Sequence, residues 1–221
     1  KKITAVPNFV KPAIGAVLAG LVGVGLHVAF DKGDSHAMLA VLSTGYGSLQ
    51  TALEDPAKLG IGALLLIAGG KVLTTSLTIS TGGSGGVFGP SMVIGGCVGA
   101  ALGLWFQDLF GIQTHPGAYA IIGMAGFFAG AAHAPISTII MVSEMTGDYK
   151  LLLPTMWVST LCFLLCRRWT LYEKQVPTRL ESPAHKGDFI VDVLEGNLVK
   201  DVFQKRNDIR RFPESTSLDD I

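Results

Sequence analysis

Residues 59–107 form a run of 49 residues that carries one charged side chain, Lys71. A helix crosses a hydrocarbon core of about 30 Å with about 20 residues, so this run is far too long for a single span. It must break, and Gly82-Gly83-Ser84-Gly85-Gly86 is the predicted place. Other uncharged runs flank it. Pro12–Phe30 suffices for one crossing. Residues 109–143 split at Pro135, which removes a helical donor and restricts Ala134 before it, leaving a long helix and a short one. Leu151–Cys166 is ended by Arg167-Arg168, a basic pair that favours a cytoplasmic exit. Ser35–Leu53 is also uncharged but diluted by Ser, Thr, Gln and His, and it reads as a loop or a short interfacial helix.

Charge divides the chain in two. Residues 1–166 hold 14 of the 34 charged side chains, and the last 55 residues hold the other 20, so the first part reads as membrane-embedded and the second as aqueous. The whole chain is neutral, and the tail has equal numbers of acids and bases, which leaves no electrostatic footprint for nucleic acid. Cys97, Cys162 and Cys166 all lie in apolar runs, at spacings that fit neither a disulfide framework nor a zinc site, and read as buried structural thiols. The start at Lys1-Lys2, followed by Pro7 and Pro12, is expected of an internal piece of a longer chain.

Small residues recur four apart at Gly15, Ala19 and Gly23, at Gly95, Gly99 and Gly103, and at Gly126 and Gly130. In lipid this spacing lets helix backbones approach closely. Packing is the expectation for Gly95 to Gly103, whereas Gly15 to Gly23 is equally accounted for by the abundance of glycine in membrane helices.

Thr81 to Ser91 is the most informative stretch. Four glycines in five positions free the backbone to turn its N–H groups inward, and a helix starting near Pro90 adds unpaired amides and the positive end of its dipole. That combination attracts an anion. No Lys, Arg or His lies between Lys71 and Asp108, so partial charges alone would hold the ion, weakly enough to release it, as permeation requires. A nucleotide-binding P-loop would end in Gly-Lys-Ser/Thr where this chain has Phe88-Gly89-Pro90. Lys71 is expected to reach an interface by its long stem. Glu144 reads as an interfacial or capping residue, because Thr146-Gly147-Asp148 stops its helix, and His133 as a structural hydrogen-bonding residue at a helix break.

These motifs resemble the CLC family of chloride channels and chloride/proton antiporters. Gly86-Val87-Phe88-Gly89-Pro90 resembles the family's Gly-x-Phe-x-Pro anion motif, and Ser43-Thr44-Gly45-Tyr46-Gly47 resembles a stretch upstream of it. Residues 122–126, His133-Ala134-Pro135 and residues 143–149 are similar to the helices that follow, and Leu171-Tyr172-Glu173 resembles the last helix. The resemblance implies an all-α polytopic membrane protein, a CLC-like bundle of tilted, broken helices of unequal length. Residues 1–176 would be the second half of an inverted-repeat transport domain, 177–187 a linker, and 188–221 the incomplete start of a small α/β cytoplasmic tail of CBS type. It implies chloride bound by the amides of Val87 and Phe88 and the hydroxyl of Tyr172, with Gly85, Gly86, Gly89 and Pro90 shaping the loop. A phenol suits this task as a neutral donor that meets an anion without trapping it.

No cofactor is implied beyond chloride as ligand, and nucleotide binding would need a complete CBS pair. The expected partners are chloride, protons for an antiporter, the lipid bilayer of the cell membrane, and a second copy of the chain, packed through the helices around Ile136–Glu144 and Leu151–Leu165. The family's first-half motifs, Gly-Ser-Gly-Ile-Pro and the gating Gly-x-Glu-Gly-Pro, do not occur in these residues. Voltage- or pH-gated channel and antiporter both remain open. A potassium channel is the alternative suggested by Ser43, Tyr46 and Gly47, which resemble a carbonyl filter, and a transporter of another anion is the other. No Ser/His/Asp, Cys/His or paired-carboxylate constellation supports an enzyme.

Overall fold

A computed structural model describes residues 7, 9–30, 36–111, 115–147, 149–172, 175–176, 178 and 181–185. The chain divides into two units, 1–172 and 173–221, and the helices below all belong to the first. The expected strand and amphipathic turn of the tail, residues 189–203, lie outside the described residues, as does most of the expected linker.

Eight α-helices follow one another, with no strand among the described residues: α1 Lys11–Phe30, α2 His36–Leu42, α3 Tyr46–Glu54, α4 Gly60–Ser80, α5 Phe88–Phe110, α6 Pro116–Ala132, α7 Pro135–Thr146 and α8 Leu152–Leu165. The long apolar run breaks at the glycine loop as its composition demands. Pro135 opens α7 one residue after the break at Ala134, with His133 in the left-handed region at φ 56°. Among the described residues, α1, α4 and α5 are long and apolar enough to cross a membrane.

The segment 35–53 differs from expectation. It forms two helices, α2 and α3, separated by Ser43-Thr44-Gly45. Gly45 makes the turn possible: its φ is 81°, and a Cβ there would lie 2.8 Å from the carbonyl of Ala40. The polar residues that suggested a loop serve other ends. The Thr51 hydroxyl bonds back to the Gly47 carbonyl, and Leu49 and Ala52 are buried against the bundle.

Helix α5 is the centre of the core, because Met92, Val93, Cys97 and Ala100 along it are sealed from solvent beneath α3, α4 and α6. Helices α5 and α6 meet backbone to backbone. A Cβ on Gly99 would press on the Tyr119 carbonyl and lie 3.1 Å from the Gly123 Cα, while one on Gly103 would lie 2.9 Å from the Tyr119 ring. The same device joins α6 to α8, where a Cβ on Gly126 would come within 2.8 Å of Val158. Two glycines of α1 pack as well. Gly15 faces Thr81, at the end of α4, and Gly23 faces Leu42 of α2, whereas Gly20 and Gly25 face nothing. Composition alone therefore does not explain Gly15 and Gly23.

Candidate anion site

The loop is built from both ends. At the end of α4 the hydroxyls of Thr78 and Thr81 bond back to the carbonyls of Thr74 and Leu77, both at 2.8 Å. Gly82 then reverses the chain at φ 89°, and the Gly83 amide returns to the Thr78 carbonyl at 2.9 Å. Helix α5 starts at Phe88 with Val87 as its cap residue, and its first backbone bond runs from the Ser91 amide to the Val87 carbonyl at 3.1 Å. The Ser91 hydroxyl bonds the same carbonyl at 2.7 Å. The amides of Val87, Phe88 and Gly89 precede that first bond and so have no helical acceptor, and Pro90 has no amide to place. Three donors thus stand at the positive end of a helix 23 residues long.

Side chains hold this end in place. Phe88 meets Phe128 of α6 edge to face, with ring centroids 5.1 Å apart. Gly85 and Gly86 are exposed, whereas Val87 to Pro90 are half-buried. Two cavities flank the loop. One, of about 170 Å³, touches Ser43, Lys71, Thr75, Thr78, Gly85 and Gly86. The other, of about 150 Å³, touches Thr75, Val87, Ser91, Phe127, Ala131 and Leu171. Pro90 borders both, and neither is lined by a carboxylate among the described residues.

Tyr172 follows a segment that is tied down. The Leu171 amide bonds the Ala131 carbonyl at 3.0 Å, and His133 Nε2 lies 3.1 Å from the carbonyls of both Cys166 and Trp169. Both neighbours are acceptors, so this nitrogen carries the proton and shares it between them. The histidine thereby ties the end of α8 to the break between α6 and α7, the structural role read from sequence. Leu171 and Val87 share a cavity wall. Tyr172 and Phe88 do not line it, and Tyr172 is half-exposed. Replacing His133 by Asn keeps a residue that tolerates a left-handed backbone but loses the reach of the ring. The expected result is a loss of about 1 kcal/mol, read as a melting temperature lower by about 2–4 °C.

Two sequence expectations are corrected here. Lys71 does not reach an interface: it is 3% exposed, and its ammonium donates to the carbonyls of Ala40 at 3.1 Å, Val41 at 3.3 Å, and Ser43. It satisfies carbonyls left free where α2 ends, which outweighs extending the stem to water. The carbonyl filter also fails. Tyr46 and Gly47 are helical, and the carbonyls of Gly45 and Gly47 accept from the Leu49 amide at 3.0 Å and the Thr51 hydroxyl at 3.1 Å. Carbonyls spent inside a helix cannot strip a potassium ion of its water. Glu144 accepts the Tyr149 hydroxyl at 2.7 Å across the end of α7, a side-chain bond at the exposed end of the helix, while Gly147 forms the cap.

Sequence reasoning missed one contact at the loop. The Tyr46 hydroxyl lies against Gly89, 3.0 Å from where a Cβ would stand. The upstream motif contained the residue, but a spacing of 43 positions carries no signal of contact.

A bundle of apolar helices, three of them long enough to cross a membrane and one preceded by a glycine loop, defines an integral membrane protein. The family described as voltage gated chloride channel matches residues 1–167, and the chain belongs to that family, the CLC proteins. The H(+)/Cl(-) exchange transporter ClcA of Vibrio cholerae serotype O1 is 42% identical over 99 residues, 43% of this chain and 20% of the relative. ClcA of Yersinia pestis bv. Antiqua is 34% identical over 144 residues, 64% of this chain and 27% of the relative. The chain therefore spans less than a third of the length of these relatives.

Proposed function

We propose that the protein moves chloride across the cell membrane in exchange for protons, with the ion held by the amides of Val87 and Phe88 and the hydroxyl of Tyr172. The observation that carries this reading is the start of α5, where three amides without helical acceptors follow a glycine loop flanked by cavities that no carboxylate lines among the described residues. The similarity to H(+)/Cl(-) exchange transporters favours exchange over a passive channel. Among the described residues, Lys71 is the one cation lining either cavity, and three carbonyls take its ammonium, which keeps binding weak and release fast. The protein works as a homodimer. Ile136 and Ile140 on α7 and Leu153, Trp157 and Leu164 on α8 are strongly exposed, an apolar surface that suits a second copy. Residues 173–221 would serve on the cytoplasmic side as a regulatory segment.

The test is reconstitution of the full protein in liposomes loaded with chloride. Chloride efflux with stoichiometric proton uptake is expected. Chloride efflux without proton movement would make it a channel, and selective potassium flux without chloride flux would overturn the reading. Tyr172→Phe removes one neutral O–H donor, and chloride affinity should fall by about 3- to 10-fold. Unchanged affinity would remove Tyr172 from the site.

A further inference from the structure

The loop has a second phenol beside it, and the transport reading above does not use it. The Tyr46 hydroxyl sits in the space left by the missing side chain of Gly89, at the second residue of α5. It has no hydrogen-bond partner among the described residues. Its ring also borders a cavity of about 550 Å³ with Thr44, Gly47, Thr51 and Lys58. The phenol thus lies against the first turn of α5 on one side and borders that cavity on the other, and it lines neither of the two cavities that flank the loop.

What puts Tyr46 there is a brace one turn upstream. The ammonium of Lys71 has three N–H donors, and the carbonyls of Ala40, Val41 and Ser43 take all three. The Thr74 hydroxyl adds a bond to Val41 at 3.2 Å. Lys71, Thr74, Ala40 and Val41 are all buried, although the cavity of about 170 Å³ reaches this junction of α2 with α4. Ser43 leads directly into Thr44 and Gly45, and Gly45 is fixed by its positive φ and by Val93 of α5, 3.1 Å from where a Cβ would stand. Tyr46 is the next residue.

We propose that Tyr46 is a specificity-determining residue of the chloride path, offering its O–H to an anion at the α5 amides, and that Lys71 is its positioning residue, acting through the braced turn Ser43-Thr44-Gly45. This rests on the chloride reading of the preceding subsection. A phenol and backbone amides together make a donor set without formal charge, while the charge of Lys71 is committed to carbonyls and is not offered to the ion. The chemistry selects a small, weakly hydrated anion and excludes cations.

The test is a double-mutant cycle on the full protein in detergent, with chloride affinity read by calorimetry and chloride flux in liposomes. Tyr46→Phe removes one oxygen and keeps the ring. The expected result is chloride binding weaker by about 3- to 10-fold with an unchanged melting temperature. Lys71→Met should weaken binding at least as much alone and add little in the Tyr46→Phe background, because both changes remove the same donor. A merely structural lysine would weaken binding by the same factor in both backgrounds. Where Lys71→Met does not accumulate, Thr74→Val, which frees Val41 and leaves the charge in place, takes its position in the cycle. Wild-type affinity in Tyr46→Phe, or independent effects of the two changes, would overturn the proposal and leave the transport reading standing. Absence of chloride binding and flux in the unmutated protein would overturn both.

Discussion

Phe88→Pro is expected to weaken chloride binding by about 10- to 100-fold while the protein still folds. Phe88 is the first residue of α5, where proline is well tolerated because the amide it lacks has no helical acceptor. The substitution therefore deletes a proposed anion donor, and it also presses on Val87, whose φ of −92° and ψ of −11° lie in the region that a following proline disfavours. A hydrogen bond to a charged group is worth about 1.5–3 kcal/mol, which sets the expected loss. The change also removes the ring that packs on Phe128, so Phe88→Leu is the necessary partner: it keeps the amide and loses the edge-to-face contact. Calorimetry should give Phe88→Leu an affinity within about 3-fold of wild type, since an aromatic pair contributes only about 0.5–1.5 kcal/mol and contributes it to packing. Equal losses in the two variants would mean that the Phe88 amide does not meet the ion. A large loss confined to proline would assign the effect to the backbone at Val87 and Phe88 and not to the Phe88 ring.

The contrast between those two variants shows how unevenly the site could be read from sequence. The break at residues 82–86 was legible because a hydrocarbon core limits helix length, and Pro135 was legible because a missing N–H ends a helix. The packing of Gly95, Gly99 and Gly103 could be read because three small residues in register at intervals of four let helix backbones approach closely in lipid. Lys71 was misread for an equally physical reason. A lysine in an apolar run can satisfy its charge by snorkelling or by finding carbonyls, and only the fold reveals that α2 ends next to it. Its being the sole charge in 49 residues was the available signal, since ionisable groups inside a membrane are functional suspects by default. The separation of α2 from α3 was hidden because polar residues that suggest a loop are also what short helices use to bond back to their own carbonyls. Tyr46 against Gly89 was out of reach altogether, because it depends on the angle at which α3 meets α5.

That dependence makes the junction of α5 with α6 the most sensitive place in the molecule, and Gly99→Leu the substitution with the largest expected effect on folding. Gly99 and Gly123 face each other across the two backbones, so that a Cβ on Gly123 would lie 2.9 Å from the Gly99 Cα. Neither neighbour is the end of a flexible side chain, and the helices themselves must separate. Overpacking costs about 1–3 kcal/mol where side chains can adjust, and backbone that cannot adjust places this change at or beyond the top of that range. A melting temperature lower by about 5–10 °C, or failure to accumulate in the membrane, is expected. Gly25→Ala is the control, because a Cβ there meets nothing within 4 Å and alanine is the better helix former, and it should leave stability unchanged or slightly raised. The effect should also reach the ion. Gly99 lies three turns along the helix whose first amides are the proposed donors, and α6 carries Phe128, which holds Phe88, and Ala131, which holds Leu171. A rigid α5 levered off α6 would draw Val87 and Phe88 away from the segment ending in Tyr172, so any Gly99→Leu protein that survives extraction should bind chloride more weakly than its stability alone explains. Wild-type affinity in such a protein would mean that the two halves of the proposed site are set independently of this contact.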